Sequence, residues 1–150
     1  MKVAFVAGFG PIVRDVTASV GFWRDAGFEL HEIAPDYWGV DGVEGVKAWA
    51  LWPLAQAASN TFGSPDWPAD LPQPQAWVEL DVESAAAVAE AAAELQAKGH
   101  RLLREAHEEE WKQTTARLLS PEGLLVGISY TPWMHANPEA GGAAEGGPAG

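Results

Sequence analysis

The chain contains no cysteine, which removes disulfides, thiolate metal sites and cysteine nucleophiles together. Basic residues are scarce: 9 Lys and Arg stand against 21 Asp and Glu, a net charge of -12. That balance repels phosphate backbones and argues against a nucleic-acid partner, while it would attract a cationic small molecule. Long apolar runs are missing too, and the opening Met1-Lys2-Val3-Ala4-Phe5-Val6 has neither the apolar length nor the small-residue cleavage site of a secretory signal. These absences predict a cytoplasmic protein with no membrane partner.

What is present suffices for a real core, since 47% of 150 residues are apolar and 10% aromatic. Val3 to Val13 is β-prone, with glycines at 8 and 10 that suggest a bulge or a close backbone approach. Asp15 or Thr17 can then cap a helix carrying Val16, Val20 and Trp23 at helical spacing, and Gly27 supplies its left-handed stop. Phe28 to Ile33, Tyr37 to Val40 and Val46 to Leu54 read as strands. Prolines at 65, 68, 72 and 74 among polar residues make 55–74 a linker or long loop.

The second half repeats the order. Gln75 to Asp81 alternates as a strand, and Ser84 caps an Ala-rich helix over Ala85 to Lys98 that stops at Gly99. His100 to Arg104 reads as a strand and Glu105 to Glu110 as an exposed acidic loop. Ser120-Pro121-Glu122-Gly123 is a turn between a final pair of strands, ending at Tyr130. Past Met134 nothing larger than Ala is apolar apart from proline, and 134–150 is expected to be a disordered tail. The economical reading is a duplicated βαβββ unit: a first module over 1–54, a Pro-rich linker over 55–74 and a second module over 75–133.

Ile12-Val13-Arg14-Asp15-Val16 and Gly21-Phe22-Trp23-Arg24-Asp25-Ala26-Gly27-Phe28 resemble the opening of the vicinal oxygen chelate superfamily, which includes glyoxalases, bleomycin-resistance proteins and extradiol dioxygenases. Glu79-Leu80-Asp81-Val82-Glu83, Ala97-Lys98-Gly99-His100, Trp111-Lys112-Gln113 and Ser120-Pro121-Glu122-Gly123-Leu124 resemble its second module. The resemblance covers roughly residues 3 to 130. It implies an α+β fold in which two βαβββ modules form curved, incomplete barrels around a cleft, and a protein that forms homodimers. Enzymes of the family hold a divalent metal with His, Gln or Glu from four strands, and the matching positions here are Gly8, Leu51, Gln75 and Gly127. A divalent site needs three or more convergent donors, so the expectation is no metal and no cofactor.

Eight tryptophans remain to carry function. Trp38, Trp49, Trp52, Trp67, Trp77, Trp111 and Trp133 lie on stretches expected to face the cleft or its rim, while Trp23 belongs to the core under its helix. Flat rings on a sheet stack on planar ligands and attract cations. In Trp49-Ala50-Leu51-Trp52 the two rings fall on opposite faces of a regular strand, so at most one faces the cleft. The resemblance to the metal-free branch implies binding of a bulky aromatic or cationic, antibiotic-like molecule. The candidate ligand-binding residues are Trp38, Trp49, Trp52, Trp77, Trp111, Gln75, Gln113 and Glu79, with Glu32 and Glu110 as further sources of charge. No catalytic residue is assigned. The alternative is a lyase, isomerase or dioxygenase-like enzyme with a non-standard site, using Glu79 or His100 as a general base.

Overall fold

A computed structural model describes residues 1–40 and 43–136. Its strands form one mixed eight-stranded sheet in the order β2-β3-β4-β1-β5-β8-β7-β6. The first four are β1 (Phe5–Val13), β2 (His31–Ala34), β3 (Tyr37–Val40) and β4 (Trp49–Pro53). The second four are β5 (Ala76–Asp81), β6 (Leu102–Glu108), β7 (Thr114–Leu119) and β8 (Leu125–Tyr130). In each half the first strand pairs parallel with the last, β1 with β4 and β5 with β8. The halves meet where β1 and β5 run antiparallel, across a register shift between Val6 and Gly8.

Local chemistry sets the helices. Asp15 accepts from the Ala18 N–H at the start of α1 (Val16–Asp25), and Ser84 does the same for Ala87 at the start of α3 (Ala85–Ala97). Gly27 and Gly99 follow these helices with positive φ, where a side chain would be strained. The turn Ser120 to Gly123 closes with a 2.9 Å bond from the Gly123 N–H to the Ser120 carbonyl.

The alternation of each strand divides the core between two faces. On the outer face, α1 covers Val13, Val40, Trp49 and Leu51, and α3 covers Ala116, Leu118 and Ile128. The inner face carries Ile12, Tyr37, Ala50, Trp52, Trp77 and Leu125. It is covered by α2 (Leu54–Phe62), whose Ala57 and Ala58 are fully buried there, and by Trp67.

Several expectations are corrected here. The segment 55–74 is not linker throughout, because Leu54, Ala57, Ala58 and Thr61 share an inward stripe and Gly63 ends the helix in a left-handed cap. β6 runs on through Glu108, so most of the supposed acidic loop is strand. Pro132–Ala136 forms a short helix, α4, so the tail does not begin at 134; the rest of that expectation, 137–150, lies outside the described residues.

Candidate ligand-binding site

Strand register brings Trp77, Glu79 and Asp81 of β5 onto the inner face beside Leu125, Gly127 and Ser129 of β8. Thr115 and Arg117 of β7 continue the row. Glu79, Asp81, Thr115, Arg117 and Ser129 are all buried, on a face they share with Ile12, Trp52, Trp77 and Leu125. Such a group of polar side chains persists only if its members satisfy one another.

Two linked networks result. In the first, the Ser129 hydroxyl hydrogen-bonds the Glu79 carboxylate and lies 3.0 Å from the Thr115 hydroxyl. Arg117 donates to Glu109 Oε1 at 2.7 Å and to the Asn60 carbonyl at 2.9 Å, tying β7 to α2. His107 Nε2 lies 3.1 Å from the same Glu109 oxygen. Desolvation pushes the Glu79 carboxyl up to about 7, against the pull of Arg117 and the Ser129 hydrogen bond. Burial and the nearby Glu79 charge push the Tyr37 hydroxyl up as well.

In the second network, Asp81 accepts from the Thr131 N–H at 3.0 Å and the Thr131 hydroxyl at 2.7 Å. His135 Nε2 lies 2.6 Å from Asp81 Oδ2, which holds α4 against the end of the sheet. Burial raises the Asp81 carboxyl, and those hydrogen bonds oppose the rise. Gln113 donates to the Thr131 hydroxyl at 3.0 Å and accepts from the Trp111 indole N–H at 2.9 Å.

The sequence-expected ligand residues therefore separate into groups. Trp52, Trp77 and Glu79 come together on the inner face; the two rings meet edge to face at 6.1 Å, and Trp77 Nε1 donates to the Ala50 carbonyl. Gln113 and Trp111 lie just ahead of β7 in the Asp81 network. Trp38 and Trp49 are on the outer face. There Trp49 stacks on Phe28 at 4.3 Å, and the Arg24 guanidinium lies 5.2 Å from the Trp38 ring. Gln75 is exposed ahead of β5, and its backbone carbonyl accepts from the Ile12 N–H. Glu109, expected in a solvated charge run, is instead the ion-pair partner of Arg117.

The four metal-ligand positions can be tested in place. A Cβ on Gly8 would stand 2.7 Å from two carbons of the Trp77 ring, and one on Gly127 would overlap the Glu79 carboxylate. Leu51 is fully buried on the outer face under α1. Gln75 lies outside the strand. The space that ligands from β1 and β8 would need is taken by Trp77 and Glu79, so these residues do not fit a divalent metal. Among the described residues no group of three or more His, Asp or Glu is placed to hold one.

An open groove of about 510 Å³ lies between the end of α2 and β6. It is lined by Thr61, Phe62, Leu103, Arg104, Glu105, Ala106 and His107. Its floor adjoins the first network through Thr61, next to Asn60, and through His107, which faces Glu109.

Sequence reasoning missed Arg117, which sits in an apolar hairpin and reads as a surface residue. Its signal was the alternation itself: Thr115, Arg117 and Leu119 share a face, so a central strand puts the guanidinium inside.

No protein-family model matches the chain, and no curated protein matches it by sequence. Solved structures do. A glyoxalase/bleomycin resistance protein/dioxygenase superfamily member from Vibrio splendidus aligns over 85% of this chain and 98% of its own, at 18% identity and a TM-score of 0.53. A protein described as an NAD-dependent benzaldehyde dehydrogenase from Legionella pneumophila aligns over 82% and 96%, at 14% and 0.56. The Mn(II)-bound glyoxalase from Novosphingobium aromaticivorans aligns over 86% of this chain and 39% of its own, at 20% and 0.52. The names differ while the architecture is shared, so the likeness speaks to fold and not to activity. With the strand order above, it shows that this chain has the glyoxalase/bleomycin resistance/dioxygenase fold.

Proposed function

We propose that this chain is a metal-free binding protein of its fold, which takes up a small molecule through the groove between α2 and β6. One observation carries the reading: Trp77 and Glu79 occupy the space that metal ligands at Gly8 and Gly127 would need. The groove has the size of an ordinary small-molecule pocket, and Phe62, Leu103 and Ala106 give it apolar walls. Behind the walls, Phe62 and Leu103 pack against the buried cluster that holds Trp52 and Trp77. An aromatic, antibiotic-like guest suits this lining better than a strongly cationic one. Glu109 already faces Arg117, and Glu79 is partly protonated near neutral pH.

The reading extends to a cytoplasmic homodimer. Val3, Val6, Phe9 and Phe22 are exposed apolar side chains, as expected of a surface that meets another protein. Among the described residues no helix is long and apolar enough to cross a membrane.

The test is elemental analysis of purified protein together with tryptophan-fluorescence titration against aromatic natural products. Saturable binding by protein without stoichiometric metal is the expected result. One tightly held transition metal per chain, with binding lost on chelation, would overturn it.

A second reading has one observation in its favour. A carboxyl near 7 beside a hydroxyl suits general acid-base work, so Glu79 could serve an enzyme. Yet Glu79 does not line the groove, and its carboxylate is already engaged by the Ser129 hydroxyl. His100, the other base considered, is exposed beyond α3, where its N–H bonds the Leu95 carbonyl.

A further inference from the structure

Among the described residues, five buried polar atoms of α2 and the inner face have no hydrogen-bond partner in the protein: Trp52 Nε1, Asn60 Nδ2, the Thr61 hydroxyl, Arg117 Nε and His107 Nε2, the last of them 3.1 Å from Glu109 Oε1. Arg117 links the Trp52 ring to α2. The Arg117 guanidinium lies 5.5 Å from the centre of the Trp52 ring, and its Nη1 donates to the Asn60 carbonyl. Thr61 follows Asn60 on α2 and lines the groove. Trp52, Thr61 and Arg117 are each 1% exposed. The indole, amide and guanidinium groups can only donate, and the hydroxyl is able to. Folded proteins rarely leave several buried donors unmet side by side, because each has lost its water without replacement. What completes such a set is an acceptor.

Charge selects the kind of acceptor. Glu109 already neutralises Arg117 at 2.7 Å, and Glu79 is a second acidic neighbour of the same guanidinium. A carboxylate or phosphate entering here would bring a further anion against both acids. A neutral carbonyl oxygen takes the same hydrogen bonds without that repulsion. Phe62, Leu103 and Ala106 offer an apolar approach to it.

We infer that the ligand is a neutral, planar molecule whose carbonyl oxygen is received by the Thr61 hydroxyl at the inner end of the groove, with the Trp52 and Arg117 donors behind it. This deepens the binding reading above and rests on it. It also assigns Thr61 and Arg117, absent from the sequence-expected set, to ligand recognition.

The experiment uses three matched probes on the intact protein: naphthamide, naphthoate and naphthalene. Binding is read by calorimetry and by the assigned indole N–H signals in a ¹⁵N–¹H spectrum. Naphthamide should bind roughly tenfold more tightly than either relative, as one to two net hydrogen bonds predict, and should shift the Trp52 signal. Thr61→Val should lower naphthamide affinity about threefold to tenfold and leave naphthalene unchanged. If that variant does not fold, the probe comparison on the unaltered protein still decides. Tighter naphthoate would mean an anion site and overturn the inference. Equal binding of all three would also overturn it while leaving small-molecule binding intact. No saturable response to any probe would remove both.

Discussion

Replacing Glu79 by Gln changes the charge at the centre of the inner face and almost nothing of its shape. Burial raises this carboxyl from 4.5 to about 7, the attraction of Arg117 and the Ser129 hydrogen bond notwithstanding. In the unfolded chain it returns to its ordinary value, so the folded form holds the proton more tightly. The fold is therefore favoured below the unfolded value, and stability is lost as pH rises from there through about 7. The gap between the two values corresponds to about 3 kcal/mol, at about 1.4 kcal/mol per unit. Glu79→Gln is neutral throughout, and its amide oxygen can still accept from Ser129. It should match the parent near about pH 4 and exceed it by about 3 kcal/mol near about pH 8. At about 3 °C per kcal/mol, that is a melting-temperature gap of about 10 °C. Urea and thermal unfolding of both proteins across this range read the difference directly, and other carboxylates cancel between them. A gap that does not grow with pH, or a variant weaker than the parent under alkaline conditions, would refute the account of Glu79 as a desolvated acid.

Three further outcomes follow from the packing. Gly127→Ala should cost about 1–3 kcal/mol, because its methyl meets the Glu79 carboxylate, and Glu79→Ala should relieve part of that cost; strictly additive unfolding energies would contradict the contact. His135→Ala should lower stability by about 1 kcal/mol by removing one partner of the buried Asp81, and an unchanged urea midpoint would count against α4 being held there. Trp49→Ala should cost about 3–5 kcal/mol through the lost stack on Phe28, with ligand affinity per folded molecule unaltered; a selective loss of binding would return Trp49 to the site.

Much of the architecture was legible because it is written in local chemistry. Asp15 and Ser84 cap, Gly27 and Gly99 stop, and Ser120 to Gly123 turns, each within a few residues of the element it bounds. Period-two alternation also separated Trp49 from Trp52 correctly. What escaped depends on partners distant in sequence. Helix α2 begins with strong formers, Leu-Ala-Gln-Ala-Ala, but it is only 9 residues long, ends in Ser-Asn-Thr-Phe and holds its place through packing on the inner face, a tertiary effect that composition does not display. Glu109 reads as one of three solvated acids until Arg117 is brought to 2.7 Å. The orientation of Trp38 was hidden for the same reason, since which face of a short strand is inner is settled by which helix covers it.

The seam between β1 and β5 has a consequence for how the chain can be cut and rejoined. Phe5 pairs with Asp81 at one end of that seam, and the Phe5 and His135 rings stand 5.0 Å apart. The beginning of the first strand and the last described helix are thus spatial neighbours, although they lie at opposite ends of the fold in sequence. Meanwhile the stretch between α2 and β5 is an irregular connection rich in proline. A circular permutant opened there, with the end of α4 joined to the start of β1 by a short flexible tether, would carry the two halves in reverse order and preserve every strand pairing. The sheet order fixes which strands meet, but not which half must be synthesised first.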